Sequence, residues 1–407
     1  MELKKIHISD IGKVVTGKTP RTSIVENYGG NIPFLTPSDD LSYKSVPKTS
    51  KTLTEQGLNE VKNCLLPPHS VCVSCIGSDL GKVVMTLEPT ITNQQFNSII
   101  PNRQFNTDFV YYLMTLVGKE LNYLSKTSTA VPIINKSSFS NYEVEVPNLK
   151  KQEKIASILS SLDDKIELNR RINGNLEQQA QALFKAWFVD FEPFKDGKFV
   201  DSELGKTPAG WKVGLLNELI ELQSGFAFKS DTFVEEGEYR LITIKAVQDG
   251  YLDISGASYI NEVPIKMPHY CFLQIGDMLL SLTGNVGRVC LVGYNNLLLN
   301  QRVAKIKPIK EMDRMFAYTL FRRDEFKNRL IYLAKGTAQL NLSPIETIKQ
   351  KVIIPPRHIL NRYGTIANIM YDLILEKIQE NIVLTEQRDT LLPRLMSGEL
   401  NVNTLTE

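Results

Sequence analysis

Asn93-Gln94-Gln95 returns as Asn300-Gln301-Arg302, and the return decides the architecture. The offset is 207 residues, from 93 to 300. Pro101 meets Pro308 at the same offset, and Phe109-Val110-Tyr111-Tyr112-Leu113 meets Phe316-Ala317-Tyr318-Thr319-Leu320. Gly77 matches Gly284, and Gly81-Lys82-Val83 matches Gly287-Arg288-Val289 after one deletion. Lys13-Val14-Val15-Thr16-Gly17 opens one copy where Glu221-Leu222-Gln223-Ser224-Gly225 opens the other. Solenoid repeats run about 20–50 residues. A repeat this long is instead a duplicated domain, and a chain with two versions of one module is suited to touching two places at once.

Between the copies the composition changes. Residues 1–149 read as mixed and mostly β, with short apolar runs punctuated by Gly, Pro, Asn and Ser and one amphipathic helix near 106–122. Residues 150–188 hold one glycine and no proline. Their apolar residues fall on a four-then-three spacing: Ile155, Leu159, Leu162, Ile166, then Asn169 and Asn173, then Leu176, Ala180, Leu183 and Trp187. That spacing is a heptad seam with two polar layers. Such a helix is about 57 Å long. Residues 189–210 read as a linker, 211–356 as the second copy, 357–397 as a second long helix, and 398–407 as a tail. The second helix carries an apolar stripe including Ile366, Met370, Leu373, Ile374, Ile378, Leu384, Leu391 and Leu395. Lys165-Ile166-Glu167-Leu168-Asn169 aligns with Lys377-Ile378-Gln379-Glu380-Asn381, which makes Asn169 and Asn381 equivalent. Each helix needs a partner seam. If a pseudo-two-fold axis relates the copies, the helices pair antiparallel, and buried Asn layers specify their register. The other reading of the Asn residues is that the seam drifts and they face water. The fold class is therefore α+β: two similar mixed modules joined by two long helices that form an antiparallel coiled-coil spacer.

The chain has 407 residues, a net charge of +2 and 42% hydrophobic residues. That is enough apolar content for real cores, and any basic surface must be balanced by an acidic one elsewhere. No run approaches the roughly 18 apolar residues of a membrane span. Five cysteines, an odd number, and an opening with no apolar signal region point to a reducing cytoplasm.

Catalytic signatures are sparse. Cys72-x-x-Cys75 lacks the second ligand pair of a zinc site, and Val71-Cys72-Val73-Ser74-Cys75-Ile76 reads as a buried strand. The loops Gly77-Ser78-Asp79-Leu80-Gly81-Lys82 and Gly284-Asn285-Val286-Gly287-Arg288 lack the spacing of a phosphate loop and read as tight turns. No metal site and no catalytic residue is expected, which makes the chain a recogniser. Polar and basic residues are dense in the loops of both copies, which suits duplex DNA, since Lys and Arg serve phosphates while Asn, Gln and Arg read base edges. The candidates are Lys18, Thr19, Arg21, Lys44, Asp79, Lys82 and Lys126 in the first copy. In the second they are Lys229, Lys245, Asn285, Arg288, Lys335 and Thr337. Solvated polar loops have the same composition. A scaffold that binds protein partners across a coiled-coil rod, without DNA, is the competing reading. The two modules should read different sequences, so residues common to both, such as Asn93-Gln94 and Asn300-Gln301, are expected to hold the scaffold.

The whole chain resembles the specificity subunits of Type I restriction-modification enzymes, the HsdS family. The resemblance rests on Gly17-Lys18-Thr19-Pro20 followed by Gly30-Asn31-Ile32-Pro33-Phe34-Leu35-Thr36, and on Val131-Pro132-Ile133-Ile134-Asn135. It continues with Val146-Pro147, then Gln152-Glu153-Lys154-Ile155-Ala156. The central helix ends in Leu183-Phe184-Lys185-Ala186-Trp187-Phe188-Val189-Asp190-Phe191-Glu192-Pro193, and Gly205-Lys206-Thr207-Pro208-Ala209-Gly210-Trp211 follows. The chain closes with Leu391-Leu392-Pro393-Arg394-Leu395-Met396-Ser397-Gly398-Glu399-Leu400. In the second copy Asn361-Arg362 replaces the Gln-Glu at the start of the long helix. The resemblance implies two target recognition domains, each reading half of a bipartite, asymmetric double-stranded DNA site. It implies helices that set the gap and dock two methyltransferase subunits and, through them, restriction subunits. S-adenosylmethionine, ATP and Mg would belong to those partner chains.

Overall fold

The computed structural model describes residues 2–77, 79–126, 133–336 and 339–402. It divides into two compact units, Met1–Glu167 with Leu384–Glu407, and Leu168–Val383. The division falls inside both long helices, Leu149–Phe188 and Arg357–Ser397. Each unit thus joins one globular module to a part of each helix.

In the first unit a four-stranded antiparallel sheet runs in the order Gly12–Thr16, Phe96–Pro101, Val71–Ser74, Val83–Met85. A second sheet orders Lys51–Leu53, Tyr28–Leu35 and Ile91–Thr92, the last pair parallel. Lys4–His7 pairs with Glu143–Val146. Successive residues of a strand point to opposite faces. Val71 and Val73 accordingly enter a core with Phe109, Ile155 and Leu159, while Cys72 enters another with Phe34, Leu35 and Phe96. Cys75 belongs to the first of these cores, so the two thiols of Cys72-x-x-Cys75 serve different apolar clusters. Burial pushes the Cys72 thiol up to about 12.

The second unit repeats this plan. Its four-stranded sheet orders Ile220–Ser224, Val303–Pro308, Met278–Ser281 and Val289–Leu291. Its second sheet orders Tyr259–Ile260, Tyr239–Ile242, Leu297–Leu299 and Phe272–Leu273, again with one parallel pair. Lys212–Leu215 pairs with Lys351–Ile354. Gly17 and Gly225 show why the repeat keeps its glycine: a Cβ would sit 2.1 Å from the carbonyl oxygen of Asn93 in one copy and of Asn300 in the other. The copies part at the second sheet, three strands against four, and at one helix. Thr107–Lys126 is continuous, whereas its counterpart breaks at the extended Arg323 into Arg314–Arg322 and Asp324–Leu333. The stretch read as a plain linker holds a hairpin, Phe199–Ser202 with Gly205–Pro208.

The long helices meet antiparallel within each unit. In the first, Ile155 and Leu159 share a core with Leu392 and Leu395, and Leu391 packs at its edge. Asp163 accepts from Tyr112 at 2.6 Å and from Arg388 at 2.7 Å. Ile166 is buried, and Leu162 half-buried. In the second unit Asn169 is fully buried and donates to Asn381 and Glu380, Asn173 donates to the Ile374 carbonyl, and Trp187 rests edge-on against Tyr363. Leu176, Leu183 and Ile378 are partly buried beside the core.

Two readings of the helices change. Leu149 and Arg357 open the helices 208 residues apart, so Asn381 corresponds in register to Asn173, one turn from the expected Asn169. Ile366 and Leu373 are exposed, at 42% and 38%, and the buried stripe is Tyr363, Ala367, Tyr371 and Ile374. The aromatic end of the central helix, Phe184, Trp187 and Phe188, lies inside the chain in a cluster with Trp211, Phe316 and Tyr363.

Candidate nucleic-acid interface

Three loops converge in the second module. The turn after Met278–Ser281 places Gly284 and Gly287 at φ of 71° and 85°, a region that favours glycine. Thr283 donates its hydroxyl to Asn341 Oδ1 at 3.0 Å, and the Gly284 amide donates to the Leu340 carbonyl. Lys335 and Asn341 exchange backbone hydrogen bonds of 3.0 and 2.8 Å, closing the loop that holds Gln339. The third loop follows Tyr239–Ile242. Its Gln248 side chain donates to the Lys245 carbonyl and accepts from the Arg288 guanidinium. The Asn285 amide, turned so that its oxygen faces Arg288, accepts at 3.1 and 3.2 Å. Lys245, Asn285 and Lys335 are exposed. Thr337 lies outside the described residues. Lys229 is exposed on a different loop, at the head of the turn Ser230–Thr232.

The first module builds a similar corner with other side chains. Gly77 and Gly81 take φ of 85° and 89°, and Lys82 and Asp79 stand 3.5 Å apart. A Cβ on Gly81 would lie 2.1 Å from the carbonyl oxygen of Gly118, so the turn touches the helix Thr107–Lys126 backbone to backbone. Thr19 donates to Gln94 at 2.6 Å, and Lys18 is exposed. Lys126 ends its helix, and its side chain lies outside the described residues, as do Thr127, Ser128 and Thr129.

Arg21 and Lys44 are each held through several contacts within the fold. Arg21 grips Glu60 through Nε at 3.0 Å, Nη2 at 2.7 Å and its own backbone amide. Those hydrogen bonds hold the Glu60 carboxyl well below its usual range, at about 2. Lys44 is more deeply committed. Its Nζ contacts Asp108 at 2.6 Å and Ser160 at 3.0 Å, lies over the Tyr111 and Tyr112 rings, and leaves its side chain 18% exposed. A lysine so enclosed ties the loop to the helices, and the base-reading role expected of it does not suit that position.

Sequence reasoning missed the charges behind these loops. Arg322 donates to Glu177 of the central helix at 2.6 Å and to Asp249, next to Gln248; Lys327 also reaches Asp249, at 2.7 Å. The only signal was ionisable residues on otherwise apolar helix faces.

A profile described as "Type I restriction modification DNA specificity domain" matches residues 1–178 and again 208–386. The chain belongs to the family of Type I restriction-modification specificity subunits. The MjaIX specificity subunit of Methanocaldococcus jannaschii is 31% identical, covering 99% of this chain and 94% of that one. The HindI specificity subunit of Haemophilus influenzae is 27% identical, covering 77% and 82%. Among solved structures, the S subunit of a Type I system from M. genitalium aligns over 97% of this chain and 96% of its own at 17% identity, with a TM-score of 0.49. Members of this family are DNA-recognition components that work with other restriction-modification subunits. The double match restates the duplication seen in the sheets. Among the described residues no helix is long and apolar enough to cross a membrane, and no group of three or more His, Cys, Asp or Glu could hold a metal ion.

Proposed function

We propose that this chain selects the DNA target of a Type I restriction-modification complex, each module reading one half of a bipartite, asymmetric site. The observation that carries the reading is the duplicated corner: the same sheet order presents loops of different chemistry, Thr19, Asp79 and Lys82 in one copy and Lys245, Asn285, Arg288 and Lys335 in the other. One scaffold bearing two loop sets is what two dissimilar half-sites require. Lys and Arg would contact phosphates, while Asn285, Gln248 and Arg288 have the donors and acceptors to address base edges.

The paired helices would serve as an antiparallel coiled-coil spacer and as the docking surface for methyltransferase subunits. The seam is occupied by the chain's own residues, which leaves an outer stripe of Ile366, Ile369 and Leu373, exposed at 42%, 61% and 38%. These residues recur at helical spacing on one face and suit a partner's apolar surface. In this reading the chain is non-catalytic, works in the cytoplasm, and leaves S-adenosylmethionine, ATP and Mg to its partners.

The test is binding at several salt concentrations, joined to methylome sequencing with and without the gene. Phosphate contacts make log affinity fall steeply with log salt. Loss of one bipartite methylated motif on deletion is the expected result. A chain that ignores DNA at every salt concentration, while holding protein partners, is a scaffold and sinks the proposal.

A further inference from the structure

In each module one loop that leaves the parallel strand pair is fastened to the central helix by a charged link, and the sign of the link is opposite in the two modules. In the first module the loop supplies the cation. Lys44 reaches Asp108 at 2.6 Å and Ser160 of the central helix at 3.0 Å, and the Lys44 carbonyl accepts from the Met85 amide at 2.7 Å. In the second the loop supplies the anion. Asp249 receives Arg322 and Lys327, and Arg322 reaches on to Glu177 of the central helix at 2.6 Å. There the Gly250 amide donates to the Val289 carbonyl at 2.8 Å, in the strand equivalent to that of Met85.

We infer that Lys44 in one module, and Asp249 with Arg322 in the other, are positioning residues that register each reading loop on the central helix and so set half-site specificity. The inference rests on the DNA reading proposed above. Three observations support it. Arg322 forks between two carboxylates, which fixes direction as well as distance; Lys is a single charged point and cannot do the same. Gly250 sits at φ 94°, and a Cβ there would lie 3.0 Å from Arg322 Nη2, so a side chain at this position would be strained and would crowd the guanidinium. Gln248, adjacent to Asp249, holds Arg288, so an atom on the tether is one residue from a candidate base reader. The Asp249 carboxyl agrees: burial pushes its pKa up, but the charges of Arg322 and Lys327 outweigh that and hold it below its usual range.

A loop held at one depth presents its polar atoms to one base step. A loop released from its tether samples several and discriminates less. The variants are Asp249→Asn and Glu177→Gln in the second module and Lys44→Met in the first, each in the full chain assembled with its methyltransferase partners. In Asp249→Asn the enclosed Arg322 keeps Glu177, at 2.6 Å, as its counter-charge. Glu177→Gln acts from the helix, on the far side of Arg322 from the loop. Methylation rates are measured on a panel of duplexes carrying single changes in either half-site. Discrimination is expected to fall about tenfold at the second half-site alone for Asp249→Asn and Glu177→Gln, and at the first alone for Lys44→Met. Arg322→Lys should recover the fold without recovering discrimination. Unchanged discrimination in folded, active variants overturns the inference, and so does an equal loss at both half-sites. If Lys44→Met instead weakens all duplexes uniformly and lowers the salt slope by about one, Lys44 is a phosphate contact and the inference fails in that module. A wild-type complex with no bipartite preference overturns the DNA reading itself, and the inference falls with it.

Discussion

Asn169 Nδ2 donates to Asn381 Oδ1 at 2.9 Å, and the two residues are contact partners without being repeat equivalents. The same amide nitrogen donates to Glu380, also at 2.9 Å. A polar contact in an otherwise apolar seam favours one register over slipped alternatives, at some cost in stability.

The first prediction follows from that contact. Asn169→Ala should lower stability by about 1–2 kcal/mol, because the half-buried acceptors Asn381 and Glu380 lose a donor. Asn169→Leu with Asn381→Leu should be neutral or stabilising, since both polar partners leave together. Denaturant unfolding of the three proteins decides it; a double variant less stable than Asn169→Ala would show that the pair contributes more than register.

The aromatic cluster around Phe188 gives the second. Phe188 packs within 4.8 Å of Tyr363 and 5.0 Å of Phe316, centroid to centroid. Phe188→Ala should therefore cost about 3–5 kcal/mol as a loss of fold rather than of a docking surface. Both tryptophans, Trp187 and Trp211, lie in this cluster, so intrinsic fluorescence reports it directly. Ile369→Glu should behave oppositely, leaving the melting temperature in place while weakening co-purification with the methyltransferase.

Glu60 supplies a pH prediction. Its folded pKa, about 2, lies below the ordinary 4.5 because of Arg21. A depressed carboxyl stabilises the fold above its unfolded pKa and loses that contribution as pH falls toward its folded one. The stability difference between wild type and Glu60→Gln should thus be full near neutral pH and shrink between about 4.5 and about 2. A difference that stays constant across that window would show that the Arg21–Glu60 pair is not ionic in solution.

The proposed spacer can itself be lengthened. Asn169 faces Asn381 and Trp187 faces Tyr363, so four residues added after Asn173 must be matched by four after Glu376 to keep the seam. Each insertion adds about 6 Å and about 40° of rotation. The gap between methylated half-sites should grow by one or two base pairs, at about 3.4 Å each, with both half-site sequences kept. Sequencing of methylated sites that returns the original gap would mean the helices do not set it.

How far the sequence could be read depends on the kind of fact. The internal repeat exposed two modules with one sheet order, because spacing between strands survives when side chains change. Composition places the helices at 150–188 and 357–397, and they run Leu149–Phe188 and Arg357–Ser397. Which stripe of a helix is buried was harder. Ile366 and Leu373 are more hydrophobic than Ala367 and Tyr371, yet the latter face inward, because periodicity gives the spacing of a stripe and not the direction of its partner. The link from Asp249 through Arg322 to Glu177 joins residues 73 and 145 positions apart, and nothing local to any of them names its partner. Lys44 looked like any loop lysine for the same reason.

The division of the chain through both helices has a consequence during synthesis. The core of the first unit contains Leu392, Leu395, Met396 and Val402, whereas the second unit ends at Val383. On the ribosome the second unit has all its residues before the first does. The module translated earliest must wait, partly uncovered, for the last turns of the second long helix, so a chain truncated between Val383 and Leu392 has a finished second half and an open first one.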